Sequence, residues 1–257
     1  MRKSIPILII NFLIPNFLLL GQSGNERICI GEKFTIYSEI LHQEREIYIK
    51  FPKGYDTSDT TYPVHYILDA EVTFHSYTGL VEILNEGEEI LNSIIVGIPN
   101  VDRNFDFNPK ENGYKFLNFI TKELVSYIDH KYRSDGKRLL CGYSMGGTYV
   151  IFALMNAPDS FSSYLSGSPY RLDIFSDNDI NDLSNKVQKT KTLYTSMGEF
   201  DREEQMGYFQ AFCKKLDTAN IDNVRFKYEV IPNRNHDNSF IINWMDGLDY
   251  ISNILSR

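Results

Sequence analysis

Short apolar runs alternate with segments of helical spacing along most of the chain, and this alternation constrains the fold more than any other feature. Runs such as YPVHYILD, SIIVGIPN, KRLLCGYS and KTLYTSMG are short and bounded by turn residues, as buried strands are. Between them lie stretches such as FHSYTGLVEIL and EEQMGYFQAFCKKLDTA, whose apolar residues recur every three or four positions. The pattern predicts an α/β fold with a mostly parallel central sheet and helices on both of its faces.

The first segments of the chain show a different pattern. RICIGEKFTIYSEI and REIYIKFP alternate apolar and polar residues, which is typical of half-buried antiparallel strands. We therefore expect two antiparallel strands at the N-terminal edge of the sheet. The sequence shows no linker, repeat or low-complexity tract, so residues 24–257 are expected to form a single domain.

One longer segment, YKFLNFITKELVSYIDHKY, predicts an amphipathic helix ahead of the fifth strand. Its apolar face would consist of Phe116, Phe119, Ile120, Leu124, Tyr127 and Ile128.

The N-terminus resembles a targeting segment rather than part of the fold. Two basic residues precede the apolar stretch IPILIINFLIPNFLLL, and small residues follow it, so a signal peptide is predicted over residues 1–23. A membrane anchor is the alternative, but Pro6 and Pro15 interrupt the stretch, which is also shorter than a spanning helix requires. We expect a secreted or periplasmic protein that does not insert into a membrane after signal cleavage.

Charge and cysteine content exclude several classes of function. The net charge of −8 and the lack of a Lys/Arg cluster argue against nucleic-acid binding. The chain has three cysteines, Cys29, Cys141 and Cys213, and an odd number of cysteines cannot all form disulfides within one chain. No C-x-x-C or H-E-x-x-H spacing indicates a metal site, and no metal or organic cofactor is expected.

The stretch LLCGYSMGGTYVIFAL contains the strongest functional motif. G-Y-S-M-G lies between an apolar run and a helical pattern, as in the nucleophile elbow of hydrolases, where a serine occupies a sharp turn between a strand and a helix. Gly142 and Gly146 are small enough for such a turn, and Gly147 allows close packing of the following helix. The motif predicts Ser144 as a nucleophile and the Met145 N–H as an oxyanion donor; a passive serine in a glycine-rich turn is the alternative.

A serine nucleophile needs a base, and the chain offers one candidate. His236 is the only histidine that follows Ser144, and it lies in the polar segment PNRNHDNSF between the last strand and the last helix. Serine hydrolases of this kind place the acid and then the histidine after the serine in the chain. His236 is therefore the predicted general base.

The acid is expected after the strand KTLYTSMG, where Glu199 and Asp201 follow Gly198. We favour Asp201 as the acid and keep Glu199 as the alternative. Glu203 and Glu204 fit better in the first turn of the next helix, where the helix dipole favours carboxylates. A second oxyanion donor is expected in the segment LDAE, after the third strand.

Taken together, YPVHYILDAEVTF, IIVGIPNVDRNFDFNP, FLNFITKELVSYIDHKYR, GYSMGGTYVIFALMNAPDSFSSYLSGSP and SMGEFD resemble the putative esterase family of α/β-hydrolases. That family includes siderophore esterases, feruloyl and acetyl esterases, S-formylglutathione hydrolase and mycolyltransferases. The resemblance covers nearly all of the mature chain. It implies an α/β-hydrolase fold with antiparallel N-terminal edge strands and a Ser144–Asp201–His236 triad. It also implies that the backbone N–H groups of Met145 and Glu71 bind the oxyanion.

Two departures from the family pattern concern the substrate pocket. The chain has L-D-A where the family usually has L-D-G, and SPYRLDIF lacks the tryptophan pair of many members. Arg103, His75 and Tyr170 are the pocket candidates. Arg103 is equally compatible with a structural ion pair to Asp102 or Asp106.

The sequence thus favours a secreted serine esterase that forms an acyl-enzyme from a small-molecule or oligosaccharide ester. Siderophore esters and acylated carbohydrates both suit an exported enzyme. The alternative is a non-catalytic carbohydrate- or partner-binding module on an inherited hydrolase fold, because a fold does not by itself imply an activity.

Overall fold

A computed structural model describes residues 29–87 and 89–255 of the chain. The predicted signal peptide, residues 1–23, lies outside the described residues. The two apolar–polar segments at the start of the described part form an antiparallel hairpin, as predicted.

The described residues form one mixed sheet of eight strands in the order β1-β2-β4-β3-β5-β6-β7-β8. The first two strands are antiparallel to their neighbours, and the pairs from β4 to β8 are all parallel. The strands are β1 Glu32–Ser38, β2 Gln43–Lys50, β3 Tyr62–Leu68, β4 Ile94–Ile98, β5 Ser134–Tyr143, β6 Ser163–Gly167, β7 Lys191–Gly198 and β8 Val224–Ile231. The predicted α/β fold with antiparallel edge strands is confirmed.

Helices connect the parallel strands and cover both faces of the sheet. They are α1 Ala70–Glu86, α2 Arg103–Phe107, α3 Gly113–Asn118, α4 Val125–Lys131, α5 Met145–Asn156, α6 Asp177–Lys186, α7 Glu203–Ala219 and α8 Phe240–Leu255. Short 3-10 turns lie at Tyr55–Thr57, Pro158–Ser160 and Leu172–Ile174.

The core has two apolar layers, one on each face of the sheet. Tyr66 belongs to the layer under α3 to α7, whereas its neighbour Ile67 belongs to the layer under α1 and α8. Successive strand residues point to opposite faces, so the near-continuous apolar run of β3 serves both layers. Burial on both faces explains why the strand sequences show little alternation.

The predicted helix ahead of β5 is not one regular α-helix. A π-helical segment, Phe119–Leu124, separates α3 from α4, and its backbone hydrogen bonds span five residues instead of the four of an α-helix. The predicted apolar face is nevertheless correct, since Phe116, Phe119, Ile120, Leu124 and Ile128 are fully buried. Tyr127 is partly buried against the same layer.

The cysteines are unpaired, and Cys141 and Cys213 lie in the core while Cys29 is exposed. Among residues 29–87 and 89–255, no helix combines the length and the apolar character needed to cross a bilayer.

The parallel strands bring their carboxyl ends to one edge of the sheet. β3 ends at Leu68, β5 at Tyr143 and β7 at Gly198, so the segments that follow them lie close together. Open α/β sheets bind ligands at this edge.

Candidate active site

Ser144 occupies the turn between β5 and α5. Its backbone angles, φ 58° and ψ −122°, lie in the positive-φ range that residues other than glycine rarely adopt. The Ser144 N–H donates a hydrogen bond to the Gly167 carbonyl at 2.8 Å, which fixes the turn against the end of β6. This is the conformation of a nucleophile elbow.

The glycines around Ser144 are sterically required. A Cβ atom on Gly142 would lie 2.3 Å from the Gly146 carbonyl oxygen. A Cβ on Gly146 would lie 2.8 Å from Oδ2 of Asp69, and one on Gly147 would lie 2.6 Å from the Gly167 carbonyl oxygen. The G-x-S-x-G-G pattern therefore allows the turn to close against both β6 and the segment that follows β3.

His236 and Asp201 form a hydrogen-bonded pair, with Nδ1 and Oδ2 separated by 3.0 Å. The Asp201 side chain is 3% exposed and that of His236 is 39% exposed. Burial alone would raise the pKa of Asp201, but hydrogen bonds from His236, the Arg202 backbone N–H and Ser168 lower it below its usual value. Asp201 is thus an ionised acceptor that orients the ring of a more accessible histidine.

Glu199, the alternative acid, makes a different contact. Its carboxylate accepts a hydrogen bond from the backbone N–H of Asn233 at 2.8 Å, three residues before His236. Glu203 and Glu204 lie in the first turn of α7, as predicted. The structure therefore brings Asp201, and not the neighbouring glutamates, to the histidine ring.

Ser144, Asp201 and His236 all line one open cavity of about 440 Å³ at the carboxyl edge of the sheet. The other lining residues are Arg103, Met145, Ser168, Tyr170, Met197, Arg202, Gln205 and Asp237. A serine in an elbow turn and an Asp–His pair on one cavity can carry out acyl transfer.

A known protein family matches most of the chain. The family model described as putative esterase matches residues 38–237. The chain belongs to this family. Ferri-bacillibactin esterase BesA of Bacillus subtilis (strain 168) is 31% identical over 137 residues, which cover 42% of this chain and 47% of that protein. The chain spans about half the length of the curated relatives that it matches.

Solved structures of similar proteins share the esterase-family fold. An IroE-like serine hydrolase from Shewanella oneidensis has a TM-score of 0.79 and 27% identity, covering 87% of this chain and 80% of that chain. The BES protein from Bacillus cereus has a TM-score of 0.76 and 23% identity, covering 88% of this chain and 97% of that chain. Both alignments cover nearly nine tenths of this chain with TM-scores above 0.7, which confirms the α/β-hydrolase fold.

The two candidate oxyanion donors of this esterase-family chain lie at helix starts. Met145 is the first residue of α5 and Glu71 the second residue of α1, so neither N–H group has an acceptor within its own helix. Met145 lines the cavity. Glu71 does not line it, and its exposed carboxylate accepts hydrogen bonds from the backbone N–H and the side-chain amide of Asn100, at 3.1 and 3.2 Å.

Arg103 both lines the cavity and forms an ion pair. Its Nε and Nη2 donate to the two oxygens of Asp69 at 2.6 and 3.0 Å, a bidentate contact. The Asp69 side chain is 6% exposed, and its burial raises the pKa of the carboxyl. Asn100 donates a further hydrogen bond to Asp69 at 2.6 Å. The Arg103 guanidinium therefore holds Asp69, the residue that directly precedes α1.

The predicted ion-pair partners of Arg103 are wrong because both carboxylates are used elsewhere. Asp102 caps α2 by accepting a hydrogen bond from the Phe105 N–H at 3.1 Å. Asp106 pairs with the buried Arg45 at 2.9 Å, inside the core.

The two weaker pocket candidates have different positions. Tyr170 lines the cavity, and its N–H donates to Oγ1 of Thr148 at 2.8 Å. His75 lies on the exposed face of α1, where its ring contacts Ser76 at 3.1 Å, and it does not line the cavity. The expectation for His75 was wrong because the helical turn after Glu71 directs this side chain into solvent.

Tyr143 is a site residue that the sequence reasoning missed. Its hydroxyl donates to the backbone carbonyl of His236 at 2.5 Å. The same oxygen lies 2.8 Å from Oγ of Ser239 and 3.0 Å from Oγ of Ser168. These partners follow it by 25 to 96 residues, so the sequence carried no signal of the contact.

Proposed function

We propose that the protein is a serine esterase that hydrolyses carboxylic esters through an acyl-enzyme. Ser144 is the nucleophile, His236 the general base and Asp201 the acid that orients it. One observation carries the proposal: Ser144 sits in a positive-φ turn on the same cavity as a 3.0 Å Asp–His pair.

The Asp201 contact determines which ring nitrogen acts as the base. Because the ionised carboxylate accepts a hydrogen bond from Nδ1–H, the neutral ring has its lone pair at Nε2. Nε2 takes the proton of Ser144 as the hydroxyl attacks the ester carbonyl. Asp201 then stabilises the imidazolium that forms.

In this proposal the backbone N–H of Met145, which lines the cavity, binds the tetrahedral oxyanion, and the N–H of Glu71 at the start of α1 is the second donor although Glu71 is not among the lining residues. Both N–H groups lie at helix N-termini, which favour negative charge. His236 gives its proton to the leaving alcohol, and the acyl-enzyme remains on Ser144. Water then attacks the acyl-enzyme with His236 again as base, which releases the acid and restores the serine.

The cavity supports a small-molecule or oligosaccharide ester as the substrate. Tyr170 and Met145 supply apolar surface beside Ser144, and Gln205 and Arg202 supply polar groups. Siderophore esters and acylated carbohydrates fit such a mixed lining, and one relative is named as a ferri-bacillibactin esterase.

We also propose that residues 1–23 direct export and that residues 24–257 act as one esterase domain outside the cytoplasm. N-terminal sequencing of the protein recovered from its native cell envelope or medium tests this. A mature end near Gly24 is expected, whereas an intact Met1 contradicts cleavage.

Covalent labelling with a fluorophosphonate probe, read by intact mass, tests the activity. Wild type and the control Ser184→Ala, whose serine lies on the exposed face of α6, should each gain one label. Ser144→Ala and His236→Ala should gain none. A folded wild type that takes no label contradicts the esterase and favours a non-catalytic binding module.

A further inference from the structure

The phenol of Tyr143 connects the nucleophile turn to the loop that carries the base. Tyr143 ends β5 and directly precedes Ser144. Its hydroxyl reaches the carbonyl of His236 at 2.5 Å and lies 2.8 Å from Oγ of Ser239, the residue that precedes α8. Tyr143 therefore connects the nucleophile turn, of which it is the neighbour in the chain, to the loop of His236 and to the residue that precedes α8.

We propose that Tyr143 is a positioning residue that holds the His236 ring at the correct distance from Ser144. The inference rests on the proposed serine-esterase function and adds a residue that does not touch the reacting atoms. Its effect is transmitted through the backbone of His236 and through the ring of the same residue.

The hydrogen bonds of the phenol are directional. A carbonyl oxygen can only accept, so the single phenol proton goes to the His236 carbonyl. The Ser239 hydroxyl can then donate to the phenol oxygen. Both groups are buried, Tyr143 at 9% exposure and Ser239 at 0%, so loss of the phenol leaves the carbonyl without this donor in a poorly solvated place.

The aromatic ring adds a second restraint. The Tyr143 and His236 rings lie 5.3 Å apart at 50°, and the edge of Phe240 meets Tyr143 at 4.8 Å. The imidazole therefore makes a tilted contact with the phenol ring, while Asp201 accepts a hydrogen bond from Nδ1. Two contacts with the His236 ring, one from Asp201 and one from Tyr143, restrain it more than the carboxylate alone would.

The loop that carries Asp201 is also hydrogen-bonded to the loop that carries His236. Glu199 accepts the Asn233 N–H at 2.8 Å, and the Phe200 N–H donates to the Arg234 carbonyl at 2.6 Å. These bonds join the loop of the base to the loop of the acid. Tyr143 supplies the corresponding connection to the nucleophile.

The test compares Tyr143→Phe, which keeps the ring and loses the hydroxyl, with Tyr164→Phe. Tyr164 is a buried tyrosine on β6 whose hydroxyl also donates to a backbone carbonyl, that of Pro158 at 2.9 Å, away from the cavity. Each variant is measured for kcat and KM on p-nitrophenyl acetate. Histidine-selective ¹⁵N NMR reports the tautomer of His236, whose signals are assigned with His236→Ala.

The expected result for Tyr143→Phe is a kcat about 10- to 100-fold lower with KM changed less than about twofold, since a misplaced base affects the chemical step. The His236 tautomer ratio should shift in the same variant and stay constant in Tyr164→Phe. Wild-type kcat together with an unchanged tautomer ratio in Tyr143→Phe would overturn the inference.

The NMR measurement separates this inference from the proposed activity. A wild type without hydrolysis whose His236 tautomer still responds to Tyr143→Phe supports the positioning role and contradicts the esterase. If Tyr143→Phe does not fold, Ser239→Ala is the second variant. It removes the hydrogen bond between Oγ of Ser239 and the Tyr143 hydroxyl and leaves the hydrogen bond to the His236 carbonyl in place. Its kcat is expected to fall about two- to fivefold, in line with the loss of one hydrogen bond, and an unchanged kcat and tautomer ratio again overturn the inference.

Discussion

The carboxylate of Glu199 accepts the backbone N–H of Asn233 at 2.8 Å, so the loop after β7 is joined to the loop that carries His236. Asp201, two residues further along, instead meets the His236 ring itself. Two neighbouring carboxylates thus have different tasks: one holds the loop and the other orients the imidazole.

Substitution of the two acids should therefore have unequal effects. Asp201→Asn is expected to lower kcat about 10⁴-fold, because an amide favours the wrong tautomer of the histidine. Glu199→Gln should lower kcat less than about tenfold, because its carboxamide oxygen can still accept the Asn233 N–H. Steady-state hydrolysis of p-nitrophenyl acetate measures both. If Glu199→Gln lowered kcat more than Asp201→Asn does, Glu199 and not Asp201 would be the acid.

The glycines offer a test of the turn with a built-in control. Gly146→Ala places a Cβ 2.8 Å from Asp69 Oδ2 and is expected to destabilise the protein by about 1–3 kcal/mol, as overpacking does. Gly207→Ala, in the interior of α7 with nothing within 4 Å, should stabilise it by about 0.5–1 kcal/mol through helix propensity. Urea unfolding measures both free energies. If both variants changed the free energy of unfolding in the same direction, the steric explanation for Gly146 in the turn would be wrong.

Removal of the Arg103 guanidinium should leave a buried carboxylate without its ion-pair partner. Arg103→Gln is expected to cost about 1–3 kcal/mol at neutral pH, less than a fully buried pair because Arg103 is 38% exposed. Asp69→Asn in the Arg103→Gln background should recover part of this loss, since it removes the unpaired charge. Thermal unfolding of the single and double variants gives the comparison. A double variant less stable than Arg103→Gln would contradict the argument.

A buried histidine makes the stability of the protein depend on pH. His65 contacts the Tyr77 hydroxyl at 3.0 Å and Oγ of Ser93 at 3.1 Å, and burial lowers its pKa from 6.5 to about 4. As the pH falls, His65 therefore takes up its proton in the unfolded chain before it does so in the folded protein. The stability that neutral His65 contributes is complete above pH 6.5 and is lost as the pH falls to 4. The loss should reach about 3 kcal/mol.

Urea unfolding of wild type and His65→Gln at pH 7.5 and at stepwise lower pH isolates this contribution. The difference between the two proteins should narrow as the pH falls from about 6.5 towards 4, because glutamine does not titrate. A constant difference over that range would show that another group controls the acid sensitivity.

Much of the fold could be predicted because strand and helix periodicities are local properties. The run KTLYTSMG and the helix after it specify β7 and α7 without reference to the rest of the chain. The π-helical segment at Phe119–Leu124 could not be predicted, since the apolar spacing on either side of it is compatible with a regular helix.

The candidate site divides in the same way. Ser144 and His236 stand out in the sequence, one by its glycines and the other as the only histidine downstream. The Arg103–Asp69 pair was missed because 34 residues separate its members and two other carboxylates lie nearer in the chain. Tyr143 was missed because its hydroxyl contacts residues from the far end of the chain.

The backbone of Ser144 has an energetic consequence for the evolution of the protein. A non-glycine residue at φ 58° and ψ −122° costs about 1–3 kcal/mol, which the surrounding fold must offset. Ser144→Gly should therefore be more stable than Ser144→Ala by about 1 kcal/mol, although both lack the nucleophile. Thermal robustness alone would favour glycine at this position, so a serine here is a cost in stability that the proposed nucleophilic role would account for.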